Sequence, residues 1–256
     1  MNGDHSIPAR SRYRVVSLDV DQVTHHSAVQ RVLGMARSGR GSYVCFGTVH
    51  MVMESHDSPE FAARVNAADM MVPDGMPMVW MQRLQRADGP ERVRANDLMM
   101  MLIAEAEKEQ IKIGFYGGRQ EVIDKIVERA MREHPSLEIA YAYSPPFRPL
   151  SVEEDAEITG KINGSGTQIL FMGLGCPKQE NWMAEHKKRV SCVMLGVGAS
   201  FDFYAGNVSE SPAWLGKVGL EWLYRLTQEP KRLWRRYLIL NPRFIWRAGR
   251  QILSRK

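Results

Sequence analysis

The residues able to do chemistry in this chain stand at the ends of short apolar runs. In Val72-Pro73-Asp74-Gly75-Met76-Pro77 a carboxylate lies between a predicted strand and the next helix, and Gly75 permits close approach of backbone or ligand. In an open parallel sheet that position faces the ligand crevice, where Asp74 can act as a general base. An Asp-Gly after a strand also serves as an ordinary turn or cap. Tyr116-Gly117-Gly118-Arg119 closes another strand and opens a helix, leaving the backbone N–H groups of Gly117 and Gly118 to face a diphosphate at the positive end of the helix dipole. The full GxGxxG pattern is absent, which argues against a nicotinamide enzyme.

The most distinctive run is FMGLGCPKQE at 171–180, a strand ending in Gly173 and Gly175, then a helix begun by Pro177, Lys178, Gln179 and Glu180. Gln179 at its tip can hold uracil, ribose or sugar hydroxyls. A second glycine-bearing strand end, Gly196 to Gly198 with Ser200 and Asp202 beyond, lies beside it if the sheet is parallel. Either run alone also reads as tight packing. Asp19-Val20-Asp21 imitates a metal-binding DxD and is read as a turn after the first strand. His50 and His56 are spaced badly for a shared metal, so no metal site is expected. Met99-Met100-Met101 reads as core filling, or as a flexible surface toward lipid.

Short apolar runs alternating with amphipathic stretches must position these groups. Strands are expected at 14–18, 42–46, 69–72, 112–116, 137–141, 168–172 and 192–197. Helices are expected at 26–37, 59–67, 76–86, 97–108, 120–133, 152–163 and 178–188. Ser151 and Glu154 have capping-box spacing. The pattern predicts an α/β class: a Rossmann-like, mainly parallel sheet flanked by helices, with a C-terminal helical basic appendage. Pro and small residues near 209–216 divide an α/β domain, 1–210, from the appendage, 211–256.

Charge is distributed unevenly. Of 34 Lys and Arg and 29 Asp and Glu, positions 217–256 hold eleven basic residues and two acids, so the tail carries +9 and the remainder is net acidic. Two helical pieces are expected there, one after Pro230 and a second starting at Asn241-Pro242. In the second, Arg243, Arg247 and Arg250 share one face while Ile245, Ala248 and Ile252 share another. With Trp234, Arg235, Arg236, Phe244 and Trp246, this is the make-up of a helix lying in an anionic headgroup layer. A docked helix with a solvated basic face is the alternative. No stretch approaches the roughly 20 apolar residues that cross a bilayer. The start has no apolar run of the signal-peptide kind, so export is not expected. Cys45, Cys176 and Cys192, odd in number and without a CxxC pair, point to a reducing compartment.

Asp74-Gly75 after a strand, Gly117-Gly118, GLGCPKQE at 173–180, GVGASFDFYAGNV at 196–208 and EWLYRLTQEPKRLWRR at 221–236 together resemble the WecG/TagA/CpsF glycosyltransferases, family 26, from about residue 15 to 236. The resemblance implies an inverting transferase that needs no metal or other cofactor. Its donor is a UDP-sugar and its acceptor a polyprenyl-diphosphate-linked saccharide. It works at the cytoplasmic face of a bacterial inner membrane, and its appendage attaches to the membrane and completes the site. It implies that Asp74 is the base, that Gln179 belongs to the donor site, and that Arg225 and Arg232 come over the diphosphate when the appendage closes. Thr48, His50, Asp97, Gly175, Lys178, Glu180 and Asp202 stand in or beside the matching motifs as substrate-binding candidates. Thr48-Val49-His50 replaces the family's Thr-x-Asn, Glu210-Ser211-Pro212 replaces Arg-Ala-Pro, and Ala95 stands where glycine is common. These departures bring a non-acetylated sugar such as glucose into consideration beside N-acetylmannosamine and its uronic acid. Self-association into a homo-oligomer is left open. A nucleotide-binding regulatory module and a nucleic-acid-binding protein are the rival readings, the latter disfavoured because no base-reading motif accompanies the basic tail.

Overall fold

The computed structural model describes residues 11–217 and 219–254, with the side chains of Ala213, Lys217, Arg232 and Arg236 outside that description. The described chain opens with an antiparallel hairpin, β1 (Arg12–Val15) and β2 (Leu18–Asp21), turned at Val16 and Ser17. This corrects the expected strand at 14–18 and turn at 19–21: the turn comes earlier, and Asp19-Val20-Asp21 is itself strand. The reason is Asp21. Its fully buried carboxylate accepts from Arg12 Nε (3.3 Å), from Arg31 (3.3 and 3.4 Å) and from the backbone N–H of Met71 (2.8 Å). A buried carboxylate is tolerated only with such partners, and meeting them pins the hairpin beside the main sheet. Asp19 pairs with Arg14 at the surface (3.1 Å).

The main sheet contains β3 (Ser42–Gly47), β4 (Met70–Pro73), β5 (Ile113–Tyr116), β6 (Ile139–Tyr143), β7 (Ile169–Met172) and β8 (Val193–Leu195). Their order is β4-β3-β8-β7-β5-β6, and every pairing is parallel. All but the edge strand β6 are buried throughout, as apolar strands covered on both faces must be. One face packs against α1 (His25–Ser38), α5 (Ala95–Glu109), α6 (Gln120–Glu133) and α9 (Ser200–Tyr204). The other packs against the hairpin, α2 (Val49–Asp57), α3 (Pro59–Asn66), α4 (Met76–Leu84), α7 (Val152–Gly164) and α8 (Lys178–His186). The chain leaves β3 toward α2 on the second face and leaves β8, its neighbour, toward α9 on the first. Adjacent strands whose connections part in this way open a crevice at their carboxyl ends.

After α10 (Ala213–Lys217) and α11 (Glu221–Gln228), the tail forms one long helix, α12 (Pro230–Leu253), where the sequence predicts two pieces. Pro242 sits inside it and forfeits a helical hydrogen bond, a defect costing about 3 kcal/mol. Packing on both sides of the proline holds the axis. Leu233, Phe244 and Ala248 are buried, and Arg243 grips Asp57 of α2 (3.0 and 2.6 Å). Gln251 accepts from the Val16 N–H (2.7 Å) and donates to the Arg14 carbonyl (2.6 Å). Phe244 and Arg243, expected at a membrane surface, are thus spent on docking α12 against α2, because the helix has an apolar side that the α/β body covers.

Asp21→Ala is expected to destabilise the fold by about 3 kcal/mol, since it strands two guanidinium groups and a strand N–H. Asp19→Ala should stay within about 0.5 kcal/mol of the parent. Urea unfolding midpoints of the two variants separate the structural role from any shared role of the pair.

Candidate active site

The crevice predicted from topology is present as a cleft of about 690 Å³ at the carboxyl ends of β3, β4, β7 and β8. The last residue of each strand hands on to a turn that cannot continue the ladder, so Thr48, Asp74, Gly173 and Gly196 converge there. A second opening of about 480 Å³ lies between α4 and the C-terminal helices, with mostly apolar walls. The two share Thr48, His50, Asp74, Glu221 and Arg225. Asp74 therefore stands where a polar cleft and an apolar groove meet.

Asp74 is partly buried, and among the described residues no donor is bonded to its carboxylate. Burial raises its pKa above the ordinary carboxylate value; Arg92 pulls it down, Glu221 pushes it up, and Arg94 and Arg225 pull it down further. Arg92 donates through Nε to the main-chain carbonyl of Asp74 and through Nη2 to Glu221 (2.6 Å). Burial also acts to raise Glu221, but the guanidinium of Arg92 outweighs it and holds that carboxylate below its usual range. Arg225 lies over the Phe203 ring at 5.3 Å and lines both openings. Arg235, exposed on α12 and lying over the Trp234 ring at 5.3 Å, lines the polar cleft. Arg232 is on α12, with its side chain outside the described residues.

The other predicted residues separate into those that line an opening and those that support it. Thr48 caps α2, accepting from the Met51 N–H (3.3 Å), and His50 faces Glu54 (3.4 Å). Both line the junction. The sequence reading contained no helix over 49–57, because two histidines and three small or polar residues interrupt its apolar pattern. Gly75 lines the apolar groove, and Gly175, Gln179, Glu180 and Asp202 line the polar cleft. Gln179 is buried with its amide already engaged: Oε1 accepts from the Gly175 N–H (3.0 Å), and Nε2 donates to the Gly196 carbonyl (2.7 Å) and Glu180 (2.8 Å). It clamps the two glycine turns together rather than presenting a loose amide. Lys178 is exposed outside both openings.

Gly117 and Gly118 line neither opening. The Gly117 N–H bonds the Tyr143 carbonyl (3.0 Å), and a Cβ on Gly117, at φ +108, would lie 2.9 Å from the Gly173 backbone. The Gly117 N–H is therefore already engaged rather than free for a diphosphate, and the glycine lets two strand-end loops touch. Asp97 lies off the cleft and pairs with Arg94 (3.3 Å). Glu210, from the altered Glu-Ser-Pro segment, accepts from Arg94 (2.9 Å) and Asn96 (2.6 Å), tying the connection before α10 to the start of α5. Spacing gave no hint of Arg92, Arg94, Glu221 or Glu210, since they meet across more than a hundred residues. For Arg92 and Arg94 the concentration of charge in 91–97 was the available signal.

A polar cleft and an apolar groove thus meet at one carboxylate. The model of the glycosyl transferase WecG/TagA/CpsF family matches residues 13–256, and the chain belongs to that family. Among relatives, it is 31% identical over 207 residues to an N-acetylglucosaminyldiphosphoundecaprenol N-acetyl-beta-D-mannosaminyltransferase of Bacillus spizizenii, covering 80% of this chain and 78% of that one. The protein of the same description from Bacillus subtilis is 31% identical over 175 residues, covering 68% of this chain and 66% of its own length.

The raised pKa of Asp74 has a consequence for stability. The folded state holds this proton more tightly than the unfolded chain, so the ionised carboxylate costs stability as pH rises from about 3.9 through the folded value. Asp74→Asn is expected to unfold at a higher temperature than the parent at pH 7, and to lose that advantage below about pH 3.9. Thermal unfolding across pH checks this.

Proposed function

We propose that this chain is an inverting, metal-independent transferase that moves a sugar from a UDP-sugar to a hydroxyl of a polyprenyl-diphosphate-linked saccharide. The observation that carries the reading is the position of Asp74 at the meeting of the polar cleft and the apolar groove. Membership of a glycosyltransferase family and the acceptor named for its Bacillus relatives support it. The donor occupies the polar cleft, whose volume of about 690 Å³ falls in the range of small-molecule sites. Thr48, His50 and Asp202 lie within reach of its hydroxyls. Asp74 takes the proton from the acceptor hydroxyl as that oxygen forms its bond to the anomeric carbon. The bond from that carbon to the diphosphate breaks on the opposite face, UDP leaves with the electron pair, and configuration inverts. Arg225 of α11 and Arg235 of α12 meet the charge growing on the leaving diphosphate, and Arg232, also of α12, is assigned the same role. His50 and Glu210, where this chain departs from its family, tune which sugar fits.

The appendage, 211–256, completes the cleft and brings the enzyme to the cytoplasmic face of the membrane. Trp246 is exposed and carries Arg247 and Arg250 against its ring (4.6 and 4.9 Å). Stacked aromatic and cationic groups of this kind suit the headgroup layer. No helix among the described residues is long and apolar enough to cross a membrane.

Asp74→Asn should lower kcat at least a hundredfold while the affinity for UDP changes less than about threefold. Release of UDP from candidate donors, with a lipid-diphosphate-saccharide acceptor present, is the assay; parental turnover by the variant would refute the base. Deleting the tail would strip the cover from α2, so its membrane role is better tested by substitution. Arg247→Gln with Arg250→Gln is expected to weaken binding to anionic vesicles about thirtyfold, at about 1 kcal/mol per charge, as read by flotation.

A further inference from the structure

The proposed acceptor is amphipathic, and the apolar groove has the polarity gradient that such a molecule needs. Its inner end holds Asp74, Glu221 and Arg225, with Arg92 bonded to the Asp74 carbonyl and to Glu221. Outward, Met76 and Pro77 of α4 face Trp222 and Tyr237, whose rings pack at 5.6 Å. The mouth is rimmed by Trp80 of α4, Leu220 before α11, and Leu238 and Ile245 of α12, exposed by 43, 39, 58 and 68%. Large apolar side chains from three separate segments, exposed around one opening, mark an interaction site rather than scattered surface residues.

We propose that this groove holds the first isoprene units of the polyprenyl chain, with the adjoining diphosphate at its inner end, where Arg225 stands between groove and cleft. It follows that α4, part of the α/β body, faces the bilayer together with the appendage. This assignment rests on the reading of the protein as a transferase acting on a lipid-linked acceptor. Charged and polar groups at the inner end, Arg225 among them, and hydrocarbon at the mouth match a polar headgroup attached to an apolar chain. A second copy of this chain laid over the rim would leave that polar end unused. On the outer side of α4, Arg83 and Leu84 are exposed beside Trp80, so the rim continues as an aromatic, cationic and apolar face of interfacial type. The mouth is built by close approach: a Cβ on Gly219, at φ +76, would lie 2.7 Å from the Trp80 ring. That glycine lets the connection between α10 and α11 rest on the tryptophan, so body and appendage each supply a wall.

Calorimetric titration of the full chain with farnesyl diphosphate and with inorganic pyrophosphate tests the groove without requiring turnover. The parent should bind the farnesyl compound at least about tenfold more tightly than pyrophosphate, the added affinity coming from buried hydrocarbon. Trp80→Gln on one wall and Leu238→Gln on the other should each cut that ratio at least about threefold, with parental unfolding midpoints. Met131→Gln, at an exposed apolar position on α6 remote from the groove, should leave it unchanged. Equal affinities in the parent, or a ratio kept by either groove variant, would overturn the proposal. Farnesyl selectivity that depends on both walls, in a protein that transfers no sugar, would fault the transferase reading and leave the groove standing. Sugar transfer without such selectivity would do the reverse.

Discussion

Arg92 is the constraint on which the site depends. One guanidinium binds the main-chain carbonyl of Asp74 and the carboxylate of Glu221, joining the end of β4 to the start of α11. Without that bridge the candidate base would sit on a less supported turn, and the longer pair of Arg94 with Glu221 (3.8 Å) would be left to tie α11 to the cleft edge. A partly buried pair of this kind gains from a fixed fork geometry, since each nitrogen points at a different partner and neither side can shift alone. The same group restrains the pKa of Asp74 while Glu221, held ionised by Arg92, raises it. Position and basicity of the carboxylate are therefore set by one small network.

Around that network the sheet supplies rigidity. Strand ends placed side by side by parallel pairing deliver four turns to one place, and Gln179 stitches two of them together by bonding Gly175 and Gly196. Gly117 allows the neighbouring loops to pack where any side chain would collide. Such contacts do no chemistry. They restrict the cleft to one shape, which is what electrostatic stabilisation of a developing charge requires.

The C-terminal helix serves three surfaces at once. Phe244, Ala248, Arg243 and Gln251 attach it to α2 and the hairpin, Arg235 faces the polar cleft, and Leu238 and Ile245 rim the groove. A helix with 3.6 residues per turn can divide its faces this way only if its axis stays continuous. The proline inside it is tolerated because contacts on both sides fix that axis.

How much of this was legible in the sequence differs by level. Alternating apolar runs and caps were enough for the parallel α/β class, for most strands and helices within a few residues, and for the placing of Asp74, Gly175, Gln179 and Asp202 at strand ends. Those are local signals, governed by side-chain period and turn chemistry. The hairpin at Asp21, the helix over 49–57 and the unbroken α12 were not legible, because in each the deciding contact is distant: Met71 for Asp21, the sheet for α2, and Asp57 for the long helix. The same holds for the site. Types and spacing marked the carboxylate and the glycine turns. Only tertiary structure decided that Arg92 and Glu221 brace the carboxylate, that Arg235 lines the cleft, that the Gly117 N–H is already spent, and that a polar cleft and an apolar groove meet at residue 74. Charge pairs and cavity walls are built from residues far apart in the chain, and no periodicity along the chain records them.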